Sequence, residues 1–378
     1  NVLNEFKDIQ IGDYIYAQGG ILIHKIPKEE AISILKEWKE RFFQLKKLDS
    51  KLSKEHSDGE LENTEFKEII KKAEQGSPLK EKERLRLFKT NNKMELKILF
   101  ETANRIRQKH LKNSCCVHGI LEFSNYCRNN CFYCGIRKNN EELQRYRIEI
   151  DEIVKIVDYS VNQLGFKALV LQSGEDPWYT PKKLVEIIRK IKEKCSVLLF
   201  MSVGEQSFDC YKKMYEAGAR GVLLRFETSN PELYKKIHEG AKADFQKRIS
   251  LLKYVKKLGY LIATGSLVGL PNQTEEDLIN DILLTKSLGA DMYSFGPLIP
   301  HSQTPLSNTK LSEINLILKV IAISRLIDFD AKILVTTALE TLDKENGGKA
   351  GLCSGANSLM INITPDKYKN LYSIYPDK

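Results

Sequence analysis

The sequence predicts an α/β protein, a (β/α)8 barrel of the TIM type with an N-terminal helical extension. From Val117 onward, short apolar runs alternate with amphipathic helical patterns, as in a parallel sheet built of βα units. Eight such repeats fit between Val117 and Asn362, close to the ~250 residues that a barrel of this kind takes. Three cysteines follow the first strand directly, at the end of the barrel where such folds keep their chemistry.

Residues 1–25 give no readable pattern. Pro27 sits where a helix can start, and Leu35, Trp38, Phe42 and Leu45 follow at helical spacing up to the turn signal Ser57-Asp58-Gly59. A second helix is expected over 66–74, stopped by Gly76 and followed by a restart at Ser77-Pro78. Leu96, Leu99, Ala103 and Ile106 form a further apolar stripe. Strands are expected over 119–123, 168–172, 197–202, 221–226, 261–267, 292–297, 333–337 and 359–362. Helices are expected over 181–194, 207–217, 244–258, 274–288 and 311–326, with Thr274 and Asp277 as a capping pair. The organisation is therefore an extension of unassigned role (1–65), a helical lead-in (66–116) and the barrel (117–378).

The net charge of +9 is spread over Lys/Glu-rich helical faces, and no aromatic-interleaved basic stripe points to nucleic acid. No apolar run approaches the ~20 residues of a membrane span. Cys115, Cys116, Cys195, Cys210 and Cys353 are scattered, which argues for a reducing compartment rather than a disulfide framework. A cytoplasmic location is expected, or an anaerobic organelle if a targeting segment precedes Asn1.

Cys127-Arg-Asn-Asn-Cys131-Phe-Tyr-Cys134 packs three thiols into eight residues. A structural zinc site closes four ligands, usually as two separated pairs. A 4Fe-4S cubane held by three cysteines keeps one iron open, and an open coordination position marks a catalytic centre. A zinc knuckle short of a ligand, or three unrelated buried thiols, are the alternatives. Gln172-Ser173-Gly174-Glu175 ends strand 2, where glycine permits close approach of a ligand or serves a plain turn. Period 2 puts Arg225 and Glu227 on one face at the end of strand 4, as a ligand-binding or a structural pair. Arg248 offers a bidentate fork for a carboxylate. His301 reads as a capping or surface histidine, and Thr336-Thr337 place hydroxyls at the barrel mouth.

The Cys-x3-Cys-x2-Cys spacing with an aromatic before the last cysteine resembles the signature of radical S-adenosylmethionine (SAM) enzymes. Residues 122–137, 145–147, 169–179, 223–231, 265–274, 296–306, 336–338 and 355–365 look like the HydE family, radical SAM maturases of FeFe-hydrogenase. Biotin synthase and methylornithine synthase are more distant likenesses. The resemblance implies that Cys127, Cys131 and Cys134 ligate a 4Fe-4S cluster whose open iron takes the methionine part of SAM. It implies that Tyr133 lies beside the adenine and Gly174 and Glu175 near the amino group. Arg225, Glu227 and Arg248 would contact the polar groups of SAM, while Gln172, Ser173, Thr336, Thr337 and Tyr372 would line the substrate cavity.

A one-electron donor and other hydrogenase maturases are the implied partners, and an iron–cysteine complex carrying CO and cyanide is the implied substrate. Two other readings stand beside this one: an amino-acid skeletal mutase of the methylornithine type, and a scaffold that binds cluster and SAM without turnover. Thr336, Thr337, Gln172 and Ser173 are neutral, and a neutral, hydroxyl-rich cavity suits a compact metal complex better than a long diamine.

Overall fold

The computed structural model describes residues 9–18, 21–32, 63–112, 114–240 and 243–378. The chain divides into two compact units, Asn1–Lys67 and Glu68–Lys378. In the first, β1 (Tyr14–Gln18) and β2 (Ile21–Ile26) pair as an antiparallel hairpin, with Tyr14 opposite Ile26. Two short β-prone runs around Gly19-Gly20 were the available signal. Residues 28–32 are helical, and the expected continuation through Leu35, Trp38, Phe42 and Leu45 lies outside the described residues.

Three helices precede the barrel: α1 (Thr64–Glu74), α2 (Glu81–Lys89) and α3 (Lys93–Leu111). Gly76, at φ +75°, ends α1 as expected. The next helix starts at Glu81, not at Ser77-Pro78. Glu83 fixes that start, because its carboxylate accepts from the Lys80 amide and also holds Lys72 of α1 at 2.7 Å. Asn92 caps α3 by accepting from the Met94 and Glu95 amides.

Eight parallel strands close a barrel in chain order: β3 (Cys116–Ser124), β4 (Ala168–Ser173), β5 (Leu198–Ser202), β6 (Gly221–Leu223), β7 (Leu261–Thr264), β9 (Met292–Tyr293), β11 (Lys332–Val335) and β12 (Ser358–Asn362). Closure comes from β12 lying beside β3, with Ser358 opposite Cys116. The helices α4 (Ile150–Asn162), α5 (Pro181–Lys194), α6 (Phe208–Glu216), α7 (Pro231–Ile237), α8 (Phe245–Lys257), α9 (Glu275–Ser287) and α10 (Ile314–Ile327) lie between the strands in the chain. Alternate strand residues point outward: Leu121 and Phe123 of β3 and Leu169 and Leu171 of β4 share one core with Val154 and Val157 of α4 and Ile188 of α5. Among the described residues no helix is long and apolar enough to cross a membrane.

Four strands stop earlier than expected, β9 at Tyr293 among them. β6 ends at Leu223, and Glu227 takes a left-handed backbone, φ +67°. The run from Leu261 breaks at Gly265, and β8 (Leu267–Val268) then pairs with β10 (Gly296–Pro297) in a separate parallel ladder. Thr336 is the N-cap of a helix at Thr337–Leu342, not a strand residue. Residues with strand propensity continue into turns there, so composition alone overextends the strands.

Residues 125–147, between β3 and α4, carry the three cysteines in a loop almost free of regular structure. Such a loop must find partners for its own carbonyls. Half-buried Arg145 supplies them, donating to the carbonyls of Asn125 (2.6 Å), Ile136 (2.9 Å), Arg137 (2.6 Å) and Asn140 (3.1 Å). The loop is also tied to other parts of the chain. Phe132 N donates to Ile237 O, Gly135 N to Ile374 O, Arg128 N to Glu175 O, and Leu306 N to Phe132 O.

Arg145→Lys should lower unfolding stability by about 2–4 kcal/mol, because an ammonium cannot reproduce the planar fork over four carbonyls. Urea unfolding measures this, and a change under about 0.5 kcal/mol would show that the loop does not depend on Arg145. Thr274 and Asp277 form the expected reciprocal cap of α9. Thr274→Ala should cost about 1 kcal/mol in the same assay, with the barrel otherwise intact.

Candidate active site

The C-terminal end of the barrel holds a cavity of about 270 Å³. Every site candidate named from the resemblance lines it: Cys127, Cys131, Tyr133 and Cys134 from the loop after β3; Gln172, Ser173, Gly174 and Glu175 from the end of β4; Arg225 and Glu227 after β6; Arg248 from the first turn of α8; and Thr336, Thr337 and Tyr372. His301 lies outside this lining; it is buried, with Nδ1 accepting from the Gln303 amide and Nε2 3.2 Å from the Ser373 hydroxyl. That is the capping role expected of it.

Burial, and then the nearby thiols of Cys131 and Cys127, push the Cys134 thiol well above its ordinary value. The three sulfurs are thus within electrostatic reach of one another. Three thiols fall one ligand short of a closed zinc site, whereas a cubane gives each thiolate its own iron and leaves the fourth iron open.

Tyr133 is positioned by a histidine that sequence reasoning missed. His238 Nδ1 lies 2.9 Å from the Tyr234 carbonyl, which only accepts, so this nitrogen carries the proton. Nε2 is then the acceptor for the Tyr133 hydroxyl at 3.2 Å. No sequence spacing connects these two residues.

At the end of β4, a Cβ on Gly174 would run into the Tyr126 carbonyl, so only glycine lets the cysteine loop pass this close. Glu175 is buried; it accepts from the Glu205 amide at 2.6 Å and from Arg128 Nε at 3.1 Å. Asp176 takes the Ser124 hydroxyl at 2.7 Å and both arms of Arg147. These contacts lock the cysteine loop to the β4 turn.

Arg225 and Glu227 do meet, Nη2 to Oε2 at 3.2 Å, although the left-handed turn rather than strand periodicity brings them together. Arg248 departs from expectation. It is buried, and its Nε already binds Glu205 at 2.6 Å while Nη1 donates to the Arg225 carbonyl. Its fork is therefore shared with the chain rather than wholly free for a ligand. Thr336 Oγ1 is buried at the cavity wall without a hydrogen bond, and Glu227 Oε2 has the Arg225 ion pair but no hydrogen bond. Such atoms are costly in an empty fold and suit a polar ligand such as SAM.

The inner wall carries charge that the expectation of a neutral cavity left out: Lys378 lines the cavity and pairs with Glu122 behind it. Glu122 lies on β3 two residues from the cavity-lining Ile120, on the same inward face, and is fully buried. The sequence carried this signal, a charge inside an apolar strand at the inward period.

The chain matches the family described as the Radical SAM superfamily over residues 121–284. It is 44% identical over 280 residues to the FeFe hydrogenase maturase subunit HydE of Thermotoga maritima, spanning 74% of this chain and 79% of that protein. It is 32% identical over 289 residues to 3-methylornithine synthase of Methanosarcina acetivorans, spanning 75% and 79%. The crystal structure of methylornithine synthase (PylB) superposes with a TM-score of 0.70 at 27% identity, over 82% of this chain and 87% of that one. With a closed parallel barrel, three thiols at its mouth and these likenesses over most of its length, the chain belongs to the radical SAM superfamily, in the group of it that contains HydE.

Proposed function

We propose that this enzyme acts in assembly of the FeFe-hydrogenase H-cluster, processing an iron–cysteine precursor that carries CO and cyanide. The observation that carries the proposal is the 44% identity to HydE over 280 residues, most of the chain. Its cofactors are those of its superfamily, a 4Fe-4S cluster and SAM. When bound, they supply one-electron cleavage of SAM to methionine and a 5′-deoxyadenosyl radical.

The chain's own residues hold, orient and enclose. Cys127, Cys131 and Cys134 would ligate the cluster. Gly174 and Glu175 would face the methionine amino group, with Tyr133, fixed by His238, beside the adenine. Arg225, Glu227 and Arg248 would take the remaining polar groups of SAM. Gln172, Ser173, Thr336, Thr337 and Tyr372, which line the same cavity, would face substrate. A one-electron donor and the other hydrogenase maturases are the partners this role requires, and its reductive chemistry suits the cytoplasm. The 32% identity to 3-methylornithine synthase supports a second reading, an amino-acid skeletal mutase.

Cys127→Ser, Cys131→Ser or Cys134→Ser should each lose the cluster, since two protein ligands hold a cubane poorly. Cys353→Ser, at an exposed position, should keep it. Iron content after anaerobic reconstitution reads both, and full iron in any of the first three would remove the ligand assignment. The role itself is tested by anaerobic maturation of apo-hydrogenase with this protein as the single variable. Hydrogen evolution should depend on it, and equal evolution without it would end the proposal.

A further inference from the structure

Asp281 lies in the middle of α9, outside the lining of the cavity, and is almost fully buried. Its Oδ1 accepts from the Ser229 amide at 2.5 Å, and its Oδ2 from the Gln273 side-chain amide at 3.4 Å. The carboxylates of the cavity wall and its support, Glu175, Glu205 and Glu227, each have an arginine partner. Asp281 has none among the described residues; burial, and to a lesser degree the like charge of Asp277, push its carboxyl up to about 7. A buried carboxylate without a counter-ion is costly to fold around. What this one holds is the turn that carries Glu227.

Glu227 stands at φ +67°, a backbone conformation that a residue with a Cβ keeps where its surroundings impose it. The turn is tied to Asp281 on both sides. Two residues on, the Ser229 amide donates to Oδ1 directly. On the other side the Glu227 carbonyl accepts from the Leu267 amide at 2.9 Å, and the Leu267 carbonyl accepts from Gln273 Nε2 at 2.9 Å. That same nitrogen donates to Asp281. Asp277, one helical turn before Asp281, adds a bond from the Asn230 side chain at 3.0 Å. The backbone of the turn therefore leans on α9, while the Glu227 side chain lines the cavity. Removing the carboxylate leaves the Ser229 amide without its acceptor and frees residue 227 to relax away from the left-handed region.

We propose that Asp281 is a positioning residue for SAM: it fixes the left-handed turn that aims Glu227 into the cavity, and it acts through Glu227 without touching the ligand. This rests on the reading of Glu227 as a contact of SAM. What Asp281 contributes to SAM affinity is then the worth of a well-placed Glu227, and it vanishes when the Glu227 side chain is gone. The Ser229 amide needs an acceptor at this place, so asparagine serves where leucine does not.

The test is calorimetric binding of SAM to the anaerobically reconstituted protein, in a double-variant cycle of Asp281→Leu and Glu227→Ala. Each single variant should bind SAM roughly tenfold or more weakly than the parent, the scale of one charge-assisted contact. The two together should bind within about twofold of Glu227→Ala alone, where independent losses would multiply. Asp281→Asn, which keeps an acceptor for the Ser229 amide, should stay within about threefold of the parent. Iron content and the melting transition are recorded for every variant. If Asp281→Leu loses either, Asp281→Ser, whose hydroxyl is too short to reach the amide, takes its place in the cycle. Unchanged affinity in Asp281→Leu, losses that multiply in the double variant, or an Asp281→Asn as weak as Asp281→Leu would each overturn the inference while Glu227 stands as a SAM contact. Unchanged affinity in Glu227→Ala would overturn it too, and would place the failure in the assignment of Glu227 instead.

Discussion

The site depends on an irregular loop being held as rigidly as a strand, and Arg145 is the group that does it. Four carbonyls of residues 125–140 converge on its guanidinium. Without that fork these carbonyls would compete for water or for other donors, and the three thiols would lose their common geometry. The loop then reaches outward by backbone bonds to the chain near Glu175, Ile237, Leu306 and Ile374. A cluster held here is therefore held by several βα connections at once, which is how a barrel fixes a reactive centre that its own loops build.

Around that loop the charges are arranged as linked pairs rather than as free ligand arms. Glu175 joins Arg128 to the Glu205 amide, Glu205 joins Arg248, and Arg248 reaches the Arg225 carbonyl while Arg225 meets Glu227. Each pair desolvates at a cost and is retained because its partner is fixed. The chain of contacts runs from the cysteine loop to the end of β6. It gives a polar ligand in the cavity a wall that is already oriented, which lowers the ordering cost of binding.

Much of this was legible beforehand. The eight strands and the cap at Thr274 follow from local patterns of periodicity, spacing and turn chemistry, while the family resemblance supplied the cavity position of the cysteine, Gly-Glu and Arg–Glu residues. What could not be read are contacts between residues far apart in the chain. His238 behind Tyr133, Glu205 on Arg248 and Arg145 over its carbonyls arise from loops meeting at one end of the barrel, and no periodicity encodes them. Strand ends were overextended where apolar residues continue into turns, as at Leu224 and Phe226. Glu122 is a different case. Its inward period was present in the sequence, but an apolar strand invites the assumption of an apolar face.

Under the proposed function, Cys127, Cys131 and Cys134 hold the cluster at which SAM is cleaved. The most direct measurement is 5′-deoxyadenosine formed by the anaerobically reconstituted protein on addition of SAM and dithionite, with Cys131→Ser alongside. The parent protein should release it and the variant should release none. Release of equal amounts by both, or none by a parent protein that carries its full complement of iron, would contradict it.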